Sequence, residues 1–454
     1  MITMLETAKR LEQGLTTPDA LIEAALVASM GAEHVFIAVL DHQAIDAAKA
    51  STERWRRGAP LSSFDGIPYT VKDLLDVAGS RTTAGSITRI DAPVALADAE
   101  VVGALASLGM IPIGKTNLTE FAYSGLGLNP HFGTPTADIQ VAEARIPGGS
   151  SSGSAIAVQR GIVSVAIGTD TAGSIRIPAA FNGLVGYKAS TDRYSMAGVH
   201  PLAMSLDSLG PLALTVADCV AFDAAMREFK DVAIQPADLA GLRFVVDDGV
   251  MADPALQPAV RENLLSMMSQ LHAAGAQVER RPVAAVTRTR ELIAQTGWLG
   301  AIEAWRLLGE IVEGPQGLRM DRRVRARLLS ARQIDAAAEG KIRRLRVELM
   351  SAMEEELQGA ILVMPTVKHV APPLAPLEND DELFAAINLA TLSLTMVGSL
   401  LDLPGVAIPS GTDSDGLPTS TLFSTTRGHD DHLLSVCLAI EAALSGSEHP
   451  PTAG

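Results

Sequence analysis

Residues 145–188 read RIPGGSSSGSAIAVQRGIVSVAIGTDTAGSIRIPAAFNGLVGYK, and this stretch decides how the chain is understood. Two clusters of small residues, GGSSSGS and TAGS, bracket the run SAIAVQRGIVSVAIGTD. A flexible linker would be polar throughout, whereas this run has the apolar content of a helix followed by a strand. Each cluster therefore reads as a tight junction between elements, where backbone N–H groups lack partners and point outward. A helix–strand unit folds back on itself, so Ser150 in the first junction and Ser174 at the tip of the second can meet.

Working outward, the β-rich runs GIPYTVKD, MIPIGKTN, VSVAIGTD and GLVGYKAS alternate with the helical patterns ADAEVVGALASLG and GSAIAVQRG. That alternation predicts an α/β fold with a central mixed, largely parallel sheet flanked by helices. Upstream, TPDALIEAALVASM and DHQAIDAAKASTERWRR fit helices, the first with Thr17 as N-cap and Pro18 opening the helix, so residues 1–60 are expected to be helical. Residues 254–357 are mostly helical and charged, and strands return in GAILVMPT, PGVAIPSG and TSTLFST. The expectation is a single large domain: a core at 61–220, an inserted helical layer at 254–357, and a loose tail at 447–454.

Hydrophobic residues make up 47% of the 454 positions, and the mean hydropathy is +0.23, which suits a large aliphatic interior and excludes a disordered chain. A net charge of −16 argues against nucleic-acid binding, which draws its affinity from Lys and Arg. The basic stretch at 319–346 is interleaved with acidic residues and reads as a solvated pair of helices. Cys219 and Cys437 sit in apolar helical patterns as buried thiols, with no disulfide framework or metal cluster. The N-terminus has no apolar signal core, and no apolar run reaches the ~18–20 residues that span a bilayer. A cytoplasmic chain without membrane or nucleic-acid partners is expected.

A serine hydroxyl attacks a carbonyl only when a base takes its proton. No histidine lies in the 145–188 stretch, and His131 and His200 fit no nucleophile elbow, so both read as loop histidines. Lys72 follows an almost uncharged run in GIPYTVKDLLDVAG, so a strand there carries its amine into the core. Desolvation favours the neutral amine, a competent base; a buried lysine held in a structural ion pair is the other reading. A phosphate cradle at GGSSSGSA finds no support, because neither a P-loop nor a dinucleotide fingerprint occurs.

GIPYTVKD, PGGSSSGSA and GTDTAGSIRIPAAFNGLVGYK, in this order and spacing, resemble the amidase signature family of hydrolases, in its soluble bacterial branch. The resemblance covers residues 66–219 and continues weakly in LLDLPGVAIPSG. It implies the amidase signature fold and a Ser–cis-Ser–Lys triad of Ser174 as nucleophile, Ser150 as bridge and Lys72 as base. It further implies an oxyanion hole from the N–H groups of Thr171, Ala172, Gly173 and Ser174. Ala172 stands where the family usually has glycine, and a positive φ there would strain it by ~1–2 kcal/mol. Implied substrate contacts are Ala122, Tyr123, Gly125, Leu126 and Ser151, together with Arg176, which could instead pin its loop to Asp170. A small carboxamide or urea-like amide is the implied substrate, a homodimer the implied assembly, and no metal or organic cofactor is implied. The alternative is the glutaminase subunit of a tRNA-dependent amidotransferase complex. Such members carry a different loop where this chain has EFAYSGLGLNPHFGTP.

Overall fold

The strands that hold the two serine junctions lie at the centre of one sheet. β1 (Phe36–Val39), β2 (Pro68–Lys72), β3 (Ile111–Thr116), β4 (Val165–Asp170), β5 (Val185–Lys188) and β6 (Ser208–Ala213) form its first half. β7 (Arg243–Asp247), β8 (Gln277–Arg281), β9 (Ile361–Pro365), β10 (Gly405–Thr412) and β11 (Pro418–Ser424) complete it. Their spatial order is β1-β3-β2-β4-β6-β5-β10-β11-β9-β7-β8. The computed structural model describes residues 1–137, 141–334 and 336–446, so the tail expected at 447–454 lies outside the described residues.

The sheet is mixed, but its balance differs from expectation. Parallel pairing is confined to β2–β3, β2–β4, β7–β8 and β7–β9, and the other neighbours run antiparallel. The parallel neighbours β2–β3 and β7–β8 are joined by crossover helices, Glu100–Ser107 and Pro258–Ala273. β5 and β6, and β10 and β11, follow one another with no intervening helix, so they pair antiparallel. Alternation of apolar runs does not distinguish these connections, which is why the sheet reads as more parallel in sequence than it is.

Every residue of β2, β4 and β6 is buried, as expected of strands covered on both faces. Thr17 Oγ1 accepts from Ala20 N at 3.3 Å, and Pro18 opens the helix Pro18–Met30. The first sixty residues also hold β1, and the helical stretch 254–357 is interrupted by the edge strand β8. Both are short edge strands: β1 is only four residues, FIAV, between two helices, and β8 reads QVERR, whose polar residues blend into the charged helical stretch. Cys219 and Cys437 are buried and unpaired. Among the described residues, no helix is long and apolar enough to cross a membrane.

Candidate active site

Lys72 ends β2 with its side chain fully buried. Its Nζ donates to Ser150 Oγ at 2.7 Å, Thr169 Oγ1 at 2.8 Å and Ser151 Oγ at 3.0 Å. Two other buried lysines are partnered differently: Lys115 pairs with Asp73 at 2.8 Å, and Lys188 lies 3.7 Å from Asp402. Lys72 faces only neutral oxygens. Burial pulls its pKa from 10.5 down to about 7, against the attraction of the more distant Asp170 and Asp207. The structural ion-pair reading thus describes Lys115, and Lys72 is an amine held close to neutrality.

The first junction needs its glycines. A Cβ on Gly148, whose φ is +73°, would lie 2.9 Å from Phe181, and one on Gly149 would lie 2.5 Å from Gly127 N. The Gly149–Ser150 peptide is cis, and the helix Ser152–Gln159 starts just beyond it. Ser151 N donates to Ser174 O at 3.2 Å, which stitches the two junctions together. The Ser174 side chain lines a cavity, and its hydroxyl has no hydrogen-bond partner among the described residues. The Lys72–Ser150 link is therefore made, while no hydrogen bond joins Ser150 Oγ to Ser174 Oγ. A serine hydroxyl turns about one bond, and hydrogen bonds of this kind tighten when substrate is bound.

The second junction is pinned on every side. Asp170 Oδ1 accepts from Gly173 N at 2.7 Å, and Asp170 Oδ2 from Ile175 N at 3.2 Å. Thr171 Oγ1 donates to Asp207, and Thr395 Oγ1 donates to Ala172 O at 2.6 Å. The N–H groups of Thr171, Ala172 and Ser174 have no acceptor among the described residues. Gly173 departs from expectation, because its N–H is committed to Asp170. Ala172 carries no positive φ; Gly173 does, at +134°, and a Cβ there would meet Thr395 Oγ1 at 2.3 Å. The methyl group of Ala172 is therefore unstrained and lines the cavity.

Four expected substrate contacts lie outside the cavity wall. Arg176 is fully buried, with Nε and Nη2 each 2.9 Å from an oxygen of Asp170 and Nη2 2.8 Å from Ser399 Oγ, so its charge serves the loop. Ser151 is buried behind the junction against Lys72. Leu126 packs into an apolar cluster with Ile146, Ile177 and Phe181. Gly125 contributes its N–H to Asn388 Oδ1 at 2.9 Å, outside the cavity wall. Only Ala122 and Tyr123 of that loop's expected contacts line the cavity. Phe121 and Ala122 hold φ of +50° and +57°. Left-handed geometry costs about 1–2 kcal/mol per residue, and strain of this sort gathers at functional loops.

The cavity measures about 310 Å³. Beyond Ser174, Thr171 and Ala172 it is walled by Trp298, Arg327, Asn388, Leu392 and Met396. Sequence reasoning missed Thr169, Trp298, Arg327 and Asn388. Thr169 follows from register, since β4 runs parallel to β2 with Val71 opposite Ile167. Arg327 sits on the helix Arg322–Ala331, where Val324, Leu328 and Ala331 form the buried face. Helical spacing puts Arg327 on that face, so the 319–346 stretch is not uniformly solvated. Asn388 has no local signal. His131 and His200 do not line the cavity, and burial lowers the pKa of both, His200 to about 4. No group of three His, Cys, Asp or Glu side chains converges as a metal site among the described residues.

The chain is 32% identical over 398 residues to the 2-amino-5-chloromuconic acid deaminase of Comamonas testosteroni, covering 87% of this chain and 84% of the relative. It is 29% identical to one component of the glutamyl-tRNA(Gln) amidotransferase of Streptococcus pneumoniae, covering 92% and 90%. A crystal structure of an amidase superposes with a TM-score of 0.85 at 29% identity, covering 98% of this chain and 100% of that one. The family model Amidase matches residues 21–434. A match of that extent makes the chain a member of the amidase family, a hydrolase of amide C–N bonds.

Proposed function

We propose that the chain cleaves small carboxamides or urea-like amides through an acyl-enzyme on Ser174. The observation that carries this reading is Lys72, buried against three hydroxyl oxygens with its pKa near 7. Neutral Lys72 accepts a proton from Ser150, which takes the Ser174 proton as Ser174 Oγ attacks the carbonyl carbon. The carbonyl π pair moves onto oxygen, where the N–H groups of Thr171, Ala172 and Ser174 stabilise it. The relay then runs in reverse. The Lys72 ammonium returns a proton through Ser150 to the departing nitrogen as the C–N bond breaks, because an amide anion cannot leave near neutral pH. Water attacks the ester by the same route and releases the acid and Ser174.

A cavity of about 310 Å³ supports a small substrate, at the lower end of ligand pockets. The glutaminase alternative has a relative of that description, but glutamine brings an ammonium group and no Asp or Glu lines the described cavity wall. We further read the chain as cytoplasmic, on the two unpaired cysteines, and as a homodimer, on family resemblance. The same reading keeps residues 1–60, 61–220 and 254–357 as parts of one catalytic unit. Size exclusion measures the assembly.

A fluorophosphonate, whose phosphorus bonds to an activated serine oxygen with loss of fluoride, is expected to label Ser174. Labelling at another residue in peptide mass spectra would overturn the assigned nucleophile. A panel of small amides assayed for ammonia release reads the reaction itself. The kcat/KM of that reaction should follow the neutral fraction of Lys72. It falls about tenfold per pH unit below about 7 and levels off above it. A flat profile from pH 5 to 8 would contradict a lysine base.

A further inference from the structure

Arg327 is a cation in the cavity without a carboxylate of its own. Its guanidinium lies over the Tyr123 ring, 4.6 Å from the centroid, and Nη1 donates to the Tyr123 carbonyl oxygen. Among the described residues it forms no ion pair, and Tyr123 is its one electrostatic partner. The two arginines that the fold buries outright each have an aspartate: Arg176 has Asp170 and Arg323 has Asp321. Burial without such a partner pushes the Arg327 pKa down. A guanidinium stacked on an aromatic face keeps its N–H groups directed outward in its own plane. The Nε and Nη2 donors of Arg327 have no acceptor among the described residues, yet they are not enclosed.

The surroundings hold this group in place. Asp321, which caps the helix bearing Arg327, donates its N–H to Glu120 Oε2 at 2.7 Å, fastening that helix to the residue before Phe121. Asn388 Oδ1 accepts from Ser124 Oγ and Gly125 N, both at 2.9 Å. That bonding fixes the orientation of the amide and leaves Asn388 Nδ2, a second donor without an acceptor, at the cavity wall. No Asp or Glu is among the described wall residues, and Arg327 is the one charged side chain among them.

We propose that Arg327 receives a carboxylate on the substrate, assisted by Asn388 Nδ2, so that the preferred amides are half-amides of small dicarboxylic acids. The proposal rests on Ser174 as the acylated residue, and it names which amides reach it. Arg327 binds one end and Ser174 attacks the other. A neutral amide of equal length leaves the guanidinium desolvated and unpaired, and an amine-bearing one meets repulsion.

The test compares succinamate and glutaramate with succinamide and glutaramide, each pair matched in length. Wild type is expected to favour the anionic member in kcat/KM by about 100-fold, the scale of losing one partner of a desolvated charge pair. Arg327→Gln should erase that ratio, and Arg327→Lys should retain part of it. A purely structural role for Arg327 would lower both members alike and leave the ratio unchanged, which overturns the proposal. A second arm needs no turnover. In Ser174→Ala protein, succinate and glutarate should raise the Tm more than the diamides do, and the difference should vanish when Arg327→Gln is added. No preference for the anion in either arm overturns the carboxylate assignment. Hydrolysis of the neutral diamides with Ser174 labelled would leave the acyl-enzyme reading standing on its own.

Discussion

Lys72→Met is expected to lower kcat/KM for every amide by roughly 10⁴–10⁶-fold, the range seen when one member of a coupled catalytic set is removed. Methionine is close to lysine in length and brings no proton acceptor of comparable basicity. Ser150 then cannot pass on the proton it takes from Ser174, and the attack stalls at an unactivated hydroxyl. Folding should survive the change. The amine is enclosed and unpaired by any carboxylate, so methionine removes a desolvation cost even as Ser150, Ser151 and Thr169 lose a donor. Ser151 Oγ already lies 3.3 Å from Thr169 O and keeps that contact.

A thermodynamic signature accompanies the kinetic one. The folded protein releases the Lys72 proton near pH 7, whereas the unfolded chain keeps it until about 10.5. Between those values the unfolded state binds more protons, so the contribution of this group to stability rises with pH. Lys72→Met should lack that rise. Circular dichroism, thermal unfolding at pH 7 and 9.5, and ammonia release check both effects. Activity within tenfold of wild type would remove Lys72 from the mechanism.

Much of this site is legible in the composition of local runs. The uncharged run before Lys72 states that its amine enters the core, and the glycines around Ser150 and Ser174 state that the backbone turns sharply there. What local sequence does not supply is register and distance. Thr169 becomes a partner of Lys72 only once β4 is laid beside β2 in parallel. Asn388 reaches the Tyr123 loop from a helix 264 positions away from Ser124. Arg327 is obscured for another reason. Its neighbours Arg322 and Arg325 carry the signature of a solvated face, and the inward stripe of Val324, Leu328 and Ala331 is visible only when the helix is drawn at its 3.6-residue period. Charge patterning describes the stretch as a whole, whereas the face of the helix decides each residue.

Asp170→Asn is expected to destabilise the protein by about 3–5 kcal/mol, the cost of leaving one charge of a buried pair alone. Burial by itself would raise the Asp170 pKa, but Arg176 on both oxygens and Lys188 nearby reverse that and hold it at about 2. The carboxylate satisfies Gly173 N, Ile175 N and two guanidinium nitrogens together. An amide offers one oxygen and turns its N–H₂ toward another donor, and Arg176 is fully buried with nowhere to find water. The bend carrying Ser174 would shift, with an expected loss of about 10²–10³-fold in kcat as donors to the oxyanion move out of line. Acid should show the same dependence. A carboxylate whose folded pKa lies below its ordinary 3.8 contributes stability that is complete above that value and is lost as pH falls through about 2. The Asn variant should lose that portion of the acid transition. Asp170→Leu combined with Arg176→Met separates the two jobs of the carboxylate. Removing both charges should restore much of the Tm, because an apolar pair of similar volume often replaces a buried ion pair without loss. Activity should stay low, since Gly173 N and Ile175 N still lack their acceptor. Recovery of turnover along with Tm would show that the bend is shaped by charge neutralisation alone, and not by the two backbone hydrogen bonds.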